Sequence, residues 1–158
     1  MPGIEVLLVE DNKSDAVLLQ EALGQAGIHY NLHLAKDGIM AMEFLLRRGD
    51  FLSAPRPSLI ILDLNLPRKD GRGVLSEILA DTNLSRIPLV VLTSSTTDRD
   101  VVTTFGLADG CYMIKPSGFD KYVEVAKAIE EFRRGMEGSS PGRTAGHSIA
   151  SDPQGASS

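Results

Sequence analysis

Four short apolar runs, each ending in a charged or hydroxyl-bearing residue, together with the helical patterns between them, predict an α/β protein with a five-stranded parallel sheet covered on both faces. The runs are 4–9 followed by Glu10-Asp11, 59–62 followed by Asp63, 89–92 followed by Thr93, and 111–114 followed by Lys115-Pro116. Such runs, rich in leucine and β-branched residues and separated by helical stretches, read as parallel strands. Their carboxyl ends lie on one edge of a sheet, where open α/β folds bind ligands. The polar residues that end these runs are therefore expected to converge.

The elements follow in order. After the first strand, Asn12 or Ser14 can cap a helix with Val17, Leu18, Ala22 and Leu23 at helical spacing, ending near Gly27. Residues 30–35 read as a second strand, with Tyr30, Leu32 and Leu34 facing one way. Asp37-Gly38 opens a helix through Ile39, Met42, Leu45 and Leu46, closed by Gly49, and Pro55 and Pro57 mark the loop before the third strand. A third helix starts near Asp70-Gly71, carries Val74, Leu75, Ile78 and Leu79 and gives way at Asp81-Thr82-Asn83, and Pro88 begins the fourth strand. The fourth helix, residues 98–106, has few apolar residues (Val101, Val102, Phe105), which marks it as short or mobile. The last, residues 119–134, carries Tyr122, Val123, Val125, Ala126, Ile129 and Phe132. Strict alternation with right-handed crossovers gives the flavodoxin-like doubly wound arrangement.

Composition sets outer limits. A chain of 158 residues with 42% hydrophobic content has room for one domain with a real core, and a net charge of −5 without a basic run argues against nucleic-acid binding. A first strand beginning at Ile4, with no basic segment before a long apolar stretch and no membrane-length span, leads to an expected cytoplasmic location and no membrane partner. The single cysteine, Cys111, cannot form an internal disulfide and reads as a small buried hydrophobe. His29, His33 and His147 have no Cys or carboxylate partner at ligand spacing, which argues against zinc. From residue 135 onward the composition changes: Gly, Ser, Pro and Ala dominate residues 138–158, and Ile149 is the one large apolar residue there. The expectation is a domain over residues 1–134 and a disordered tail over 135–158, because the tail cannot bury enough surface to offset its ordering entropy.

Charge gives the convergence its chemical meaning. Two carboxylates about 4 Å apart repel by roughly 4 kcal/mol at an effective dielectric near 20, so Glu10, Asp11 and Asp63 together call for a cation between them. An oxygen-only donor set favours Mg²⁺ or Mn²⁺ over zinc. Lys115 adds an ammonium suited to a phosphoryl oxygen, and the Thr93 hydroxyl can donate to a second one. Together they describe a phosphoryl-accepting site in which the Asp63 carboxylate attacks phosphorus while the cation and Lys115 neutralise the equatorial oxygens.

These residues resemble the receiver domain of bacterial two-component response regulators across residues 4–134. The matching features are Glu10-Asp11 after the first strand, Asp63 in Leu62-Asp63-Leu64-Asn65-Leu66-Pro67, the pair Asp70-Gly71, Thr93-Ser94-Ser95, and Tyr112-Met113-Ile114-Lys115-Pro116. The resemblance implies that Asp63 is the phosphoacceptor, that Glu10 and Asp11 hold Mg²⁺ directly or through water, and that the backbone carbonyl of Asn65 is a further metal ligand. It also implies that Lys115 contacts the phosphoryl group, that Thr93 shifts toward it, and that the rotamer of Tyr112 reports the change. The stretches 84–95 and 108–112 look most like stand-alone regulators paired with phytochrome-type photoreceptor kinases. The implied partners are a sensor histidine kinase, a second copy in a homodimer and a histidine phosphotransfer protein. Asn65 and Ser95, at positions that influence water access in this family, offer no obvious base, which points to slow hydrolysis of the acyl phosphate.

Blander readings stand beside these. Acids after a strand often cap helices, a strand-end lysine can be structural, Tyr112 can be ordinary packing, and the pairs Arg47-Arg48 and Arg133-Arg134 read as solvated helix ends favoured by the dipole. Two other functions share the topology. A haloacid-dehalogenase-type phosphatase or phosphotransferase wants an aspartate two residues beyond Asp63, where this chain has Asn65. A flavin carrier needs a phosphate loop where Glu10-Asp11-Asn12 stands.

Overall fold

The computed structural model describes residues 3–66, 70–94, 96–108 and 110–136. Ser95 and the expected tail beyond Met136 therefore lie outside the described residues.

Five parallel strands, β1 (Ile4–Val9), β2 (Tyr30–Ala35), β3 (Leu59–Asp63), β4 (Leu89–Thr93) and β5 (Tyr112–Ile114), form one sheet in the order β2-β1-β3-β4-β5. Among the described residues five α-helices connect or follow them: α1 (Lys13–Gln25), α2 (Gly38–Leu46), α3 (Gly71–Ala80), α4 (Asp100–Phe105) and α5 (Phe119–Met136). The doubly wound arrangement expected from the sequence is the one observed.

Alternation along the strands divides the core in two. Val6 and Leu8, Leu59 and Ile61, and Val90 and Leu92 point to the face covered by α1 and α5, where they meet Leu19, Leu23, Ala126 and Ile129. Leu7 and Val9, Ile60 and Leu62, and Leu89 and Val91 point to the opposite face, against Val74, Leu75 and Ile78 of α3 and Ala41, Phe44 and Leu45 of α2. Every residue of β3 and β4 is buried, which explains why these runs are apolar without alternation.

The helix starts follow the predicted chemistry. Asn12, Asp37 and Asp70 adopt extended backbone conformations and accept from the amides of Asp15, Met40 and Gly73, satisfying donors that a helix leaves orphaned. Gly71 has a separate reason: a Cβ there would lie 2.4 Å from the Leu64 Cα and 2.6 Å from the Asp63 carbonyl oxygen. The start of α3 can approach the end of β3 this closely only without a side chain.

Some expectations need correction. On α1 the buried stripe is Ala16, Leu19, Ala22 and Leu23, while Val17 is half exposed, because the helix turns its smaller Ala16 toward the sheet. On α2, Ile39 is exposed while Met42 and Leu45 are buried. Arg133 is not a solvated helix end: it is buried and forked onto Glu130, with Nε 2.8 Å from Oε1 and a terminal nitrogen 3.0 Å from Oε2, whereas its neighbour Arg134 is exposed. The fourth helical region is a 3₁₀ turn, Thr96–Arg99, leading into the six-residue α4.

Candidate functional site

Parallel register carries the ends of β1, β3 and β5 to one edge. Val9 pairs with Leu62, so Glu10 and Asp63 are neighbours one residue further on, and Lys115 follows β5 with its amide donating to the Thr93 carbonyl at 2.7 Å. Glu10 and Asp63 are each only 3% exposed, and Asp11 lies on the solvent side. One ligand oxygen from each of the three acids falls within 4.8 Å of the others.

The Lys115 ammonium sits among the carboxylates. Its Nζ is 2.8 Å from Glu10 Oε1, 2.9 Å from Asp15 Oδ2 and 3.0 Å from Asp63 Oδ2. An ammonium has three protons to donate, so these three acceptors engage all of them. Burial works against the charge on Lys115, but hydrogen bonds to Glu10 and Asp15 and the Asp63 charge raise its pKa above the ordinary lysine value. Burial also pushes the Glu10 carboxyl up to about 7, with the Lys115 hydrogen bond opposing the rise and the Asp63 charge adding to it. The second oxygen of each buried acid is held by backbone: the Asn12 amide donates to Glu10 Oε2 at 3.2 Å, and the Asn65 amide donates to Asp63 Oδ1 at 3.0 Å.

Asp15 carries no sequence signal for a place in the site. An acid in the first turn of a helix is favoured by the dipole and so carries a sufficient bland explanation. Only the fold brings it to Lys115, 100 residues away in the chain.

Thr93 stands fully buried at the end of β4, on the expected edge, but its hydroxyl donates to Asp98 Oδ2 at 2.8 Å. Tyr112 lies on β5, partly buried, with the Arg99 guanidinium carbon 5.8 Å from its ring centroid. The structure therefore brings Glu10, Asp11, Asp63 and Lys115 together, sets Asn65 beside them through its amide, and places Thr93 and Tyr112 along an adjoining path.

The donor set fits a hard divalent cation: three carboxylates, no nitrogen or sulfur, one of them open to solvent. It fits a nucleophilic role for Asp63 as well, since that carboxylate is held by an amide and an ammonium and has no acid beside it in the position of Asn65.

The family model described as the response regulator receiver domain matches residues 6–127. The chain is 45% identical over 131 residues to response regulator Rcp1 of Synechocystis sp., covering 83% of this chain and 89% of that protein. A crystal structure of the phosphorylated cyanobacterial phytochrome response regulator RcpA superposes with a TM-score of 0.75 at 42% identity, over 84% of this chain and 94% of its own. The Mn²⁺-bound form of Rcp1 gives 0.73 at 42% identity, over 88% and 99%. By the matching model and these relatives, the chain belongs to the response regulator receiver domain family, as a relative of the phytochrome-associated regulators.

Proposed function

We propose that this protein is a single-domain response regulator that accepts a phosphoryl group on Asp63 in a Mg²⁺-dependent reaction and changes its protein contacts in response. The observation that carries this reading is Lys115 bonded to both buried acids, Glu10 and Asp63, beside a third carboxylate at ligand distance. An Asp63 oxygen attacks phosphorus in a phosphohistidine; the P–N bond breaks, the histidine nitrogen leaves with its electron pair and takes a proton, and an acyl phosphate remains on Asp63. Glu10, Asp11, Asp63 and the Asn65 carbonyl would hold the cation, Mg²⁺ or Mn²⁺, which when bound neutralises charge on the phosphoryl oxygens. Lys115 supplies the other compensating charge, turning from a carboxylate to a phosphoryl oxygen. Thr93 is the hydroxyl that follows the new group, and Tyr112 the aromatic that reports it. The receiver domain is assigned to residues 1–134.

The proposed donor is a sensor histidine kinase of the phytochrome type, supported by the likeness to Rcp1 and to the phytochrome regulator RcpA. Output is assigned to a homodimer that rearranges or to passage of the phosphoryl group to a histidine phosphotransfer protein, with the cytoplasm as the place of action. Among the described residues no helix is long and apolar enough to cross a membrane. Asn65, a carboxamide, has no acidic proton to give in the position where a haloacid-dehalogenase-type enzyme needs an acid.

Asp63→Asn is expected to take up no label from a small acyl-phosphate donor in the presence of Mg²⁺ while keeping its circular dichroism spectrum. Labelling at the wild-type level would overturn the assignment. Mass measurement with and without beryllofluoride reads the oligomeric response.

A further inference from the structure

Residues 98–100 touch each side chain assigned to the response. Asp98 Oδ2 accepts a hydrogen bond from the Thr93 hydroxyl at 2.8 Å. Arg99, next in the chain, covers the Tyr112 ring. The segment is itself tied down from across the site: Arg72, in the first turn of α3, donates to Asp98 Oδ1 at 3.2 Å and to both oxygens of Asp100, at 2.8 and 3.2 Å. Asp98 is only 16% exposed, so its two partners, the guanidinium and the hydroxyl, reach it in a largely dry setting.

A threonine hydroxyl has one proton to donate. While it is given to Asp98 it is withheld from a phosphoryl oxygen on Asp63. We propose that Asp98, held by Arg72, is a positioning residue that competes with the phosphoryl group for the Thr93 hydroxyl and so sets the resting state of the regulator. The inference rests on the phosphoacceptor reading above and adds to it the group that must let go. Release is reversible because Asp98, on losing the hydroxyl, keeps Arg72 as a charged partner, so no bare carboxylate is stranded in a half-buried position. It also couples the two sides of the site. Arg72 belongs to the helix that follows Asp63, and Asp98 to the turn that follows Thr93, so a shift of either bears on the other.

The test is a titration of beryllofluoride with Mg²⁺, followed by NMR, on wild type, Asp98→Ala, Thr93→Val, the double variant, Asp100→Ala and Asp63→Asn. Thr93→Val keeps the side-chain volume and removes the hydroxyl. Asp98→Ala is expected to bind the mimic about fivefold more tightly than wild type, the scale of one net hydrogen bond, and this gain should vanish when Thr93 is already Val. Asp100→Ala, which removes the same charge from the same arginine without touching the hydroxyl, should stay near the wild-type affinity. An unchanged or weakened Asp98→Ala, a gain that persists with Thr93→Val, or an equal gain from Asp100→Ala would each overturn the competition. Binding that fails in wild type, or survives Asp63→Asn, would instead sink the phosphoacceptor reading and this proposal with it.

Discussion

Lys115 is a single cation placed among three carboxylates, Glu10, Asp15 and Asp63, and it is only 9% exposed. Removing one partner of a buried charge cluster leaves the others uncompensated, which typically costs about 3 kcal/mol. Lys115→Ala is therefore expected to lower stability toward urea by about that amount without divalent ions, and Mg²⁺ should restore a large part of it by supplying the missing charge. Equal losses with and without Mg²⁺ would show that the lysine acts on the fold apart from the acids. In the presence of Mg²⁺ the same variant should still take up phosphoryl label, but the spectral change that accompanies it in wild type should be lost. At the same scale, Asp15→Asn removes the negative charge on the α1 side while keeping an acceptor oxygen, and is expected to leave Asp63-dependent labelling in place.

Two junctions between elements tune the molecule. The β3–α3 turn depends on Gly71, where a Cβ would meet backbone atoms of Leu64 and Asp63 closer than 3 Å. Gly71→Ala should force the turn apart, at a cost of about 2 kcal/mol in thermal unfolding. Because the displaced atoms carry the phosphoacceptor, beryllofluoride affinity should fall as well; an unchanged affinity would show that the turn and the site move independently. On α5, the Arg133 hydrogen bonds lower the Glu130 pKa below its ordinary value, with burial opposing. A carboxyl with a depressed folded pKa contributes stability that is present above its unfolded pKa and lost as pH falls through the folded value. Glu130→Gln is therefore expected to be about 1 kcal/mol less stable than wild type at neutral pH, with the two stability curves converging as pH drops below the usual carboxylate range. Parallel curves at all pH would refute a contribution from the charge.

At the scale of the whole molecule the sheet separates two cores, one against α1 and α5 and the other against α2 and α3. Leu19→Ala and Leu75→Ala empty fully buried positions on opposite sides, and each is expected to cost about 3 kcal/mol by the cavity it leaves. Their losses should add to within about 0.5 kcal/mol in denaturant unfolding, since the two belong to different core clusters on opposite faces of the sheet; a large coupling would mean that the sheet transmits repacking between faces. The amino-acid sequence by itself determined the alternation of elements, the helix starts at Asp37 and Asp70, the choice of Asn12 or Ser14 for the first cap, and the meeting of Glu10, Asp11, Asp63 and Lys115. These follow from local periodicity and from the rule that parallel strands end on one edge, neither of which needs knowledge of side-chain conformation. Only the tertiary structure decided that Asp15 reaches Lys115, that Thr93 gives its hydroxyl to Asp98, that Arg133 is buried and that Val17 faces solvent. Those outcomes depend on the rotation of each helix about its axis and on the rotamers that packing selects. Such quantities are fixed by contacts between residues distant in the chain, so no local pattern encodes them.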